Sequence, residues 1–449
     1  MDRYQSFARS GFGRFVVGKL GLPDPYPLRR HSPTGPALDG PVLLGGRGRL
    51  VDPVRTTLES IGLDVVAAPG AEAAPGTAAE VSERPAALLF DATGIERVED
   101  LRELHAFFHP VIRSLGPCGR VVVLGTPPAS AVSRSAQRAL EGFTRSVGKE
   151  LKRGGTAQLV HVAEGAEGNV ESTLRFLLSG RSAYVSGQVV RIGAGPVEVP
   201  ADWSAPLAGE VALVTGASRG IGAAIAEVLS RDGAHVVCLD VPGQGDALSA
   251  VANGVSGSTI QLDITAPDTP ARIVDHLVQR HGGVDVVVHN AGITRDRTLG
   301  RMDADRWDAV VQVNLACQER LNQALVDSGA LRPRGRVVGV SSIAGIAGNV
   351  GQTNYATTKA GVIGMVEELA AQFDGTGATA NAVAPGFIET RMTAAVPLVI
   401  REAGRRMNSL SQGGLPVDVA EAVAWLAHPA SAGVNGTVVR VCGQSLLGA

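Results

Sequence analysis

The 449-residue sequence predicts an α/β protein of two doubly wound parallel-sheet domains, since its length suits two ordinary cores better than one. Three observations carry this expectation. The second half holds a strand, glycine-rich turn and helix in succession; an internal repeat spans the chain; and a proline-rich stretch separates the copies.

The residues up to Leu20 read as a short helix. The segment Gly21-Leu22-Pro23-Asp24-Pro25-Tyr26-Pro27 cannot continue it, and no chemistry attaches to either. In the first copy, Gly45-Gly46-Arg47-Gly48-Arg49 follows an apolar strand. Asp91-Ala92-Thr93-Gly94-Ile95 echoes His289-Asn290-Ala291-Gly292-Ile293, and Gly119-Arg120-Val121-Val122-Val123-Leu124 echoes Gly335-Arg336-Val337-Val338-Gly339-Val340. The run from Ser182 to Ile192 matches Ser431 to Val441 without a gap. The spacing between partners grows along the chain, so the second copy carries insertions. Both halves read as one βαβ architecture. Residues 1–195 are expected to form a degenerate Rossmann-like (flavodoxin-like) domain, 196–206 a linker with three prolines and no periodicity, and 207–449 the intact domain.

In that intact domain the run Val211-Ala212-Leu213-Val214-Thr215-Gly216-Ala217-Ser218-Arg219-Gly220-Ile221-Gly222 fixes the ligand class. Gly216 permits a tight turn, Gly220 lets a pyrophosphate approach the backbone, and Gly222 lets helix and strand pack closely. The following helix offers unpaired N–H groups and the positive end of its dipole. Asp240 ends the next apolar run, Val236-Val237-Cys238-Leu239, where an acceptor for a ribose hydroxyl belongs. Together they read as a dinucleotide site.

Composition excludes other classes. A net charge of −2 argues against a general nucleic-acid binder. The cysteines, Cys118, Cys238, Cys317 and Cys442, form no CxxC pair, and the nine histidines are dispersed, so neither a metal site nor a disulfide framework is expected. No apolar run suits a signal peptide or a bilayer span. A soluble cytoplasmic protein without a membrane partner is the expectation.

Tyr355-Ala356-Thr357-Thr358-Lys359 opens a helical segment, and positions i and i+4 share one face. An ammonium beside a phenol favours the phenolate, which makes Tyr355 a proton donor to a developing alkoxide near neutral pH. Ser342, after the strand Val337-Val338-Gly339-Val340, is placed to hydrogen-bond the same oxygen.

These residues resemble the short-chain dehydrogenase/reductase family over essentially all of 206–449. The family's glycine loop matches Thr215 to Gly222, its acidic residue beside the adenine Asp263, followed by Ile264, and its strand end Asn290-Ala291-Gly292. Its helix asparagine matches Asn314, its catalytic residues Ser342, Tyr355 and Lys359, and its Pro-Gly pair Pro385-Gly386. The resemblance implies cofactor contacts at Gly216, Ser218, Arg219, Gly220, Ile221, Gly222, Asp240, Asp263, Ile264, Asn290, Ala291, Gly292, Tyr355, Lys359, Pro385, Gly386, Ile388 and Thr390. It places substrate at Ser342, Gln352 and Tyr355, with Asn314 holding a water for proton resupply. The stretches Asn349 to Tyr355 and Pro385 to Thr390 look most like 3-oxoacyl-thioester reductases of the fatty-acid pathway. The doubled length and the end Val441-Cys442-Gly443-Gln444 resemble their two-domain form.

Asp240 repels a 2′-phosphate, so NADH is favoured, with NADPH the alternative through Arg219. Phe373-Asp374-Gly375 stands where carrier-protein enzymes usually have a basic docking residue, which leaves both acyl-carrier-protein and coenzyme A thioesters open. Arg401, Arg405 and Arg406 read either as ligands for the partner's phosphates or as a solvated helix face. In the first copy, Gln137 and Ser133 stand where Lys359 and Tyr355 do, Thr126 opposite Ser342, and Ala92 opposite Asn290, so that copy is expected to be catalytically dead. A stripe of Ala139, Leu140, Gly142, Phe143 and Val147 suits pairing, and a homodimer of four family-like domains is expected. The rival readings are a dehydrogenase of another alcohol or ketone and a non-catalytic nucleotide-binding scaffold.

Overall fold

A computed structural model describes residues 24–67, 84–394 and 397–446, with isolated positions before residue 24. The helix expected up to Leu20 therefore lies largely outside the described residues. The chain divides into two compact units. One comprises Met1–Val190, Met392–Gly414 and Cys442–Leu446; the other comprises Arg191–Arg391, Leu415–Val441 and Leu447–Ala449. The division at 196–206 is a linear one, whereas two late segments fold with the first unit. Buried polar contacts hold them there. Tyr184 Oη donates to the Gln412 carbonyl at 2.7 Å, Gln412 Nε2 donates to the Tyr26 carbonyl at 2.7 Å, and Gln444 Nε2 donates to the Arg145 carbonyl at 2.6 Å.

The first unit's sheet contains β1 (Val42–Gly46), β2 (Val65–Ala67), β3 (Ala87–Asp91), β4 (Arg120–Gly125), β5 (Thr156–Val162) and β6 (Gln188–Ile192), in the order β2-β1-β3-β4-β5-β6. Strands β3, β4 and β5 are buried at every residue, as expected of a parallel sheet covered on both faces. The covering helices are α1 (Val51–Ser60), α2 (Arg102–Val111), α3 (Arg134–Glu150) and α4 (Glu171–Leu177). Phe90 meets Phe107 and Phe108 at ring-centroid distances of 5.0 and 5.8 Å, and Phe108 meets Phe143 on α3 at 5.1 Å. The stripe expected to pair with another domain is thus split. Leu140, Phe143 and Val147 pack into their own core, while Ala139 and Gly142 are exposed.

The second unit's sheet contains β7 (Val211–Thr215), β8 (His235–Asp240), β9 (Ser258–Gln261), β10 (Val284–His289), β11 (Leu331–Val340), β12 (Thr379–Pro385) and β13 (Val438–Val441). Their order is β13-β12-β11-β10-β7-β8-β9, with every pairing parallel. Among the described residues, no strand lies beyond β2 in the first sheet, where the second continues past β8 to β9. This added strand accounts for part of the growing spacing between the copies. Helices α5 (Gly220–Arg231), α6 (Gly245–Gly254), α7 (Thr269–His281), α8 (Ala304–Val311), α9 (Cys317–Asp327), α10 (Ile343–Ala347) and α11 (Thr353–Gln372) follow, with a π-turn at Gln312–Ala316 between α8 and α9. Helix α12 (Leu398–Arg406) belongs to the first unit; α13 (Pro416–Ala427) is buried from Asp418 to its end. Arg231 on α5 grips the Glu421 carboxylate of α13 with both terminal nitrogens, at 2.5 and 2.9 Å.

Among the described residues, no helix is long and apolar enough to cross a membrane, and no group of three His, Cys, Asp or Glu is arranged to hold a metal ion. All four cysteines are free and buried.

Candidate active site

The glycine loop is held from below by one asparagine. Asn290, just past the end of β10, donates from Nδ2 to the carbonyls of Thr215 (3.0 Å) and Gly216 (3.1 Å). Thr215 Oγ1 accepts from the amides of Asn290 and Ala291, each at 3.0 Å. Gly216 takes a left-handed φ of +68°, and a Cβ there would stand 2.9 Å from Ala291 Cα. A Cβ on Gly222 would stand 2.1 Å from the Gly216 carbonyl oxygen. Over Gly220 (φ +59°) the nearest atom to such a Cβ is Thr390 Cγ2 at 3.9 Å, so this backbone is open. Ser218 Oγ is buried without a hydrogen-bond partner among the described residues. An unpaired hydroxyl beside open glycine backbone at the start of α5 fits a pyrophosphate.

Asp240, at the end of β8, accepts from the Ser218 amide at 3.1 Å and from the Val241 amide at 2.9 Å. Arg219 is exposed and donates to Gln244 Oε1 at 3.3 Å. Asp263 is exposed past β9, with Oδ1 accepting from Thr265 Oγ1 at 2.7 Å; Ile264 is half-buried. Gly292 lies near Asn314 and Lys359: a Cβ there would stand 3.4 Å from Asn314 Oδ1 and 3.5 Å from Lys359 Nζ. Pro385 ends β12, the Gly386 amide donates to the Val441 carbonyl at 3.0 Å, and Ile388 is buried. Asp240, Asn290, Gly292, Ser342 and Pro385 thus lie at the carboxyl ends of their strands, where open α/β sheets bind ligands.

Ser342 caps the N-terminus of α10, accepting from the Ala344 amide at 3.1 Å, and it hydrogen-bonds the Tyr355 hydroxyl. On α11, Lys359 Nζ lies 5.6 Å from the Tyr355 ring centroid and donates to the Val340 carbonyl at 2.8 Å. The expected lowering of the Tyr355 pKa by Lys359 is not found. Burial raises the phenol above its ordinary value, Asp296 adds to the rise, and the Ser342 hydrogen bond opposes them. Burial also pulls the Lys359 ammonium down to about 8. Its proton serves a backbone carbonyl, and the phenol stays protonated at neutral pH.

Asn314 sits in the π-turn, fully buried. Its Oδ1 accepts from the Ile293 amide at 2.8 Å, while Nδ2 donates to the Ile293 carbonyl (3.0 Å) and to Thr358 Oγ1 (3.2 Å). Its amide therefore binds protein partners. Gln352 is engaged with Asn349 Nδ2 at 2.8 Å and Asp296 Oδ2 at 2.9 Å. Sequence reasoning missed Asn354. This buried side chain donates to the Arg295 and Arg306 carbonyls and accepts from the Tyr355 amide at 2.8 Å. A polar residue next to Tyr355 and four before Thr358, on the buried face of α11, was the available signal. On α12, Arg405 and Arg406 both pair with Glu402, and Arg406 lies over the Tyr4 ring, so neither forms a free phosphate-binding face.

The corresponding region of the first unit is closed. Asp91 accepts from the Leu50 amide at the start of α1 (2.8 Å) and from the Thr93 amide (2.9 Å). A side-chain carboxylate thus fills the helix terminus where a phosphate would sit. A Cβ on Gly94 would stand 1.9 Å from the Arg47 carbonyl oxygen, and Arg47 and Arg49 pair with Glu103 and Glu167. Ser133 caps α3, accepting from the Ala136 amide. Gln137, in the place of Lys359, donates from Nε2 to the carbonyls of Ala92 (2.8 Å) and Ile95 (2.9 Å) and accepts from the Thr126 amide (2.9 Å).

The family model described as "Enoyl-(Acyl carrier protein) reductase" matches residues 216–443. The chain belongs to the short-chain dehydrogenase/reductase family. Among its relatives, the 3-oxoacyl-[acyl-carrier-protein] reductase FabG of Vibrio cholerae is 41% identical over 237 residues, covering 53% of this chain and 97% of that protein. The enzyme of the same name from Thermotoga maritima is 42% identical over 240 residues, covering 53% and 98%. A crystal structure of a short chain dehydrogenase from Burkholderia cenocepacia, in complex with NADP, matches with a TM-score of 0.51 at 34% identity, covering 53% of this chain and 98% of that one. These family members match about half of this chain.

Proposed function

We propose that this chain is a reductase of 3-oxoacyl thioesters, forming 3-hydroxyacyl thioesters with NADH. The observation that carries the reading is the Ser342–Tyr355 hydrogen bond beside Lys359, at the same sheet edge as the open glycine loop. A bound nicotinamide supplies the hydride for the ketone carbon. Tyr355 gives its proton to the ketone oxygen, Ser342 orients that oxygen, and Lys359 holds the nicotinamide ribose. The glycine loop and Ser218 Oγ bind the pyrophosphate. Asn314 keeps the walls of the site in register, and a water on its carbonyl side resupplies the proton. The names of the 3-oxoacyl reductases similar to this chain support the substrate class. Turnover of acetoacetyl-coenzyme A and of a carrier-protein 3-oxoacyl thioester tests it. Absence of both leaves the dehydrogenase of another ketone as the reading.

NADH rests on Asp240, whose carboxylate stands beside the Ser218 amide where a 2′-phosphate would approach. The exposed Arg219 and the NADP in the Burkholderia structure favour NADPH. Asp240→Ser should therefore shift the kcat/KM ratio at least about tenfold towards NADPH, by removing a like-charge repulsion. Wild-type preference for NADPH would refute the charge argument.

We further read the first unit as a degenerate copy without turnover, its crevice filled by Asp91 and Gln137, and the assembly as a cytoplasmic homodimer. Light scattering should give a mass near twice the 46.1 kDa chain; a monomer or a four-chain assembly excludes it.

A further inference from the structure

We infer that Gln318 is a positioning residue for this catalytic group, an assignment that rests on the reductase reading above. The π-turn Gln312–Ala316 departs from the i→i−4 ladder, a device frequent at functional sites. Two side chains of the first turn of α9 donate to its carbonyls and hold it in that form. Cys317 Sγ donates to the Val313 carbonyl at 3.0 Å, and Gln318 Nε2 donates to the Asn314 carbonyl at 2.7 Å. Gln318 and Asn314 are both almost completely buried. The Asn314 amide in turn ties Ile293, just beyond the Asn290-Ala291-Gly292 strand end, to Thr358 on the helix of Tyr355 and Lys359. Gln318 thus fixes the backbone from which that bridge is built. Its other end, Oε1, has no partner among the described residues, and Gln318 lines a small cavity with His289, Ala291, Cys317 and Thr215.

Gln318→Leu removes the donor, and Gln318→Glu replaces it with a group that donates only when protonated. Burial raises a carboxyl's pKa towards the assay range. The ionisable neighbours are His289, neutral above about 4; Cys317, raised to about 11; and Lys359, at about 8, with Asp263 and Arg320 near Cys317. Each is also present in wild type, so any added titration belongs to the new carboxyl. Gln318→Leu should lower kcat about tenfold with the KM for the cofactor unchanged, and the Ile293 amide should exchange about tenfold faster. Gln318→Glu should approach wild-type kcat and Ile293 protection at the acid end of its range and lose both as pH rises. Unchanged Ile293 exchange in Gln318→Leu, or two variants alike at every pH, overturns the inference. Should Gln318→Leu fail to fold, the titration of Gln318→Glu decides alone, and a Gln318→Glu that also fails to fold overturns the inference. Wild-type protein inactive on every 3-oxoacyl thioester would instead sink the reductase reading, and the exchange measurement would still judge Gln318.

Discussion

Tyr355→Phe should lower kcat by about 10²–10⁴-fold while leaving cofactor binding within a factor of two, because the ring remains and only the acid is removed. The phenol's position depends on groups that the substitution does not touch. Asn354 holds the Tyr355 amide, and Thr358 donates to the Tyr355 carbonyl at 2.9 Å. Stopped-flow turnover with fluorescence titration of the reduced cofactor separates the two quantities. Retention of more than a tenth of the activity would remove Tyr355 from the role of acid. The wild-type profile carries a sign of its own. Lys359 is charged below about 8 and loses its proton above it, so the reduction rate should fall as pH rises through that value.

Gly222→Ala should weaken cofactor binding at least about tenfold and destabilise the protein by about 1–3 kcal/mol. The added methyl would meet the Gly216 carbonyl oxygen at 2.1 Å and Asn290 Nδ2 at 2.6 Å. Both belong to the hydrogen-bonded frame that shapes the loop, so relief of the clash must deform it. Gly243→Ala is the control, since nothing lies within 4 Å of its missing Cβ. Calorimetric titration with NADH and with NADPH, alongside thermal unfolding, measures both effects. A Gly222→Ala protein that binds either cofactor like wild type would show that the loop has slack.

The parallel sheets, the glycine loop and the Ser342, Tyr355 and Lys359 spacing were legible because each is written in short-range pattern: apolar strands, glycines at a turn, an i, i+4 pair. Three other features depend on long-range packing. The direction of the Tyr355 shift follows from how deeply its phenol is buried, which outweighs the hydrogen bond from Ser342. The inward turn of Arg405 and Arg406 follows from Glu402 lying within reach of both. The membership of 392–414 in the first unit follows from single polar atoms, such as Tyr184 Oη, that no periodicity announces. Gln318 was invisible for a related reason. A glutamine one turn beyond Asn314 means little until the backbone between them adopts a π-turn.

Gln137 works as a ratchet. A lysine placed at that position would offer no acceptor to the Thr126 amide and would bring a buried charge among the carbonyls of Ala92 and Ile95. The strand ends that Gln137 staples together would have to part before that ammonium found a purpose. Asp91 would have to release the start of α1 before any phosphate could enter. Each single change is therefore a loss on its own, and only several made together would open the crevice. The contacts that stabilise this unit are the same ones that keep a cofactor out of it.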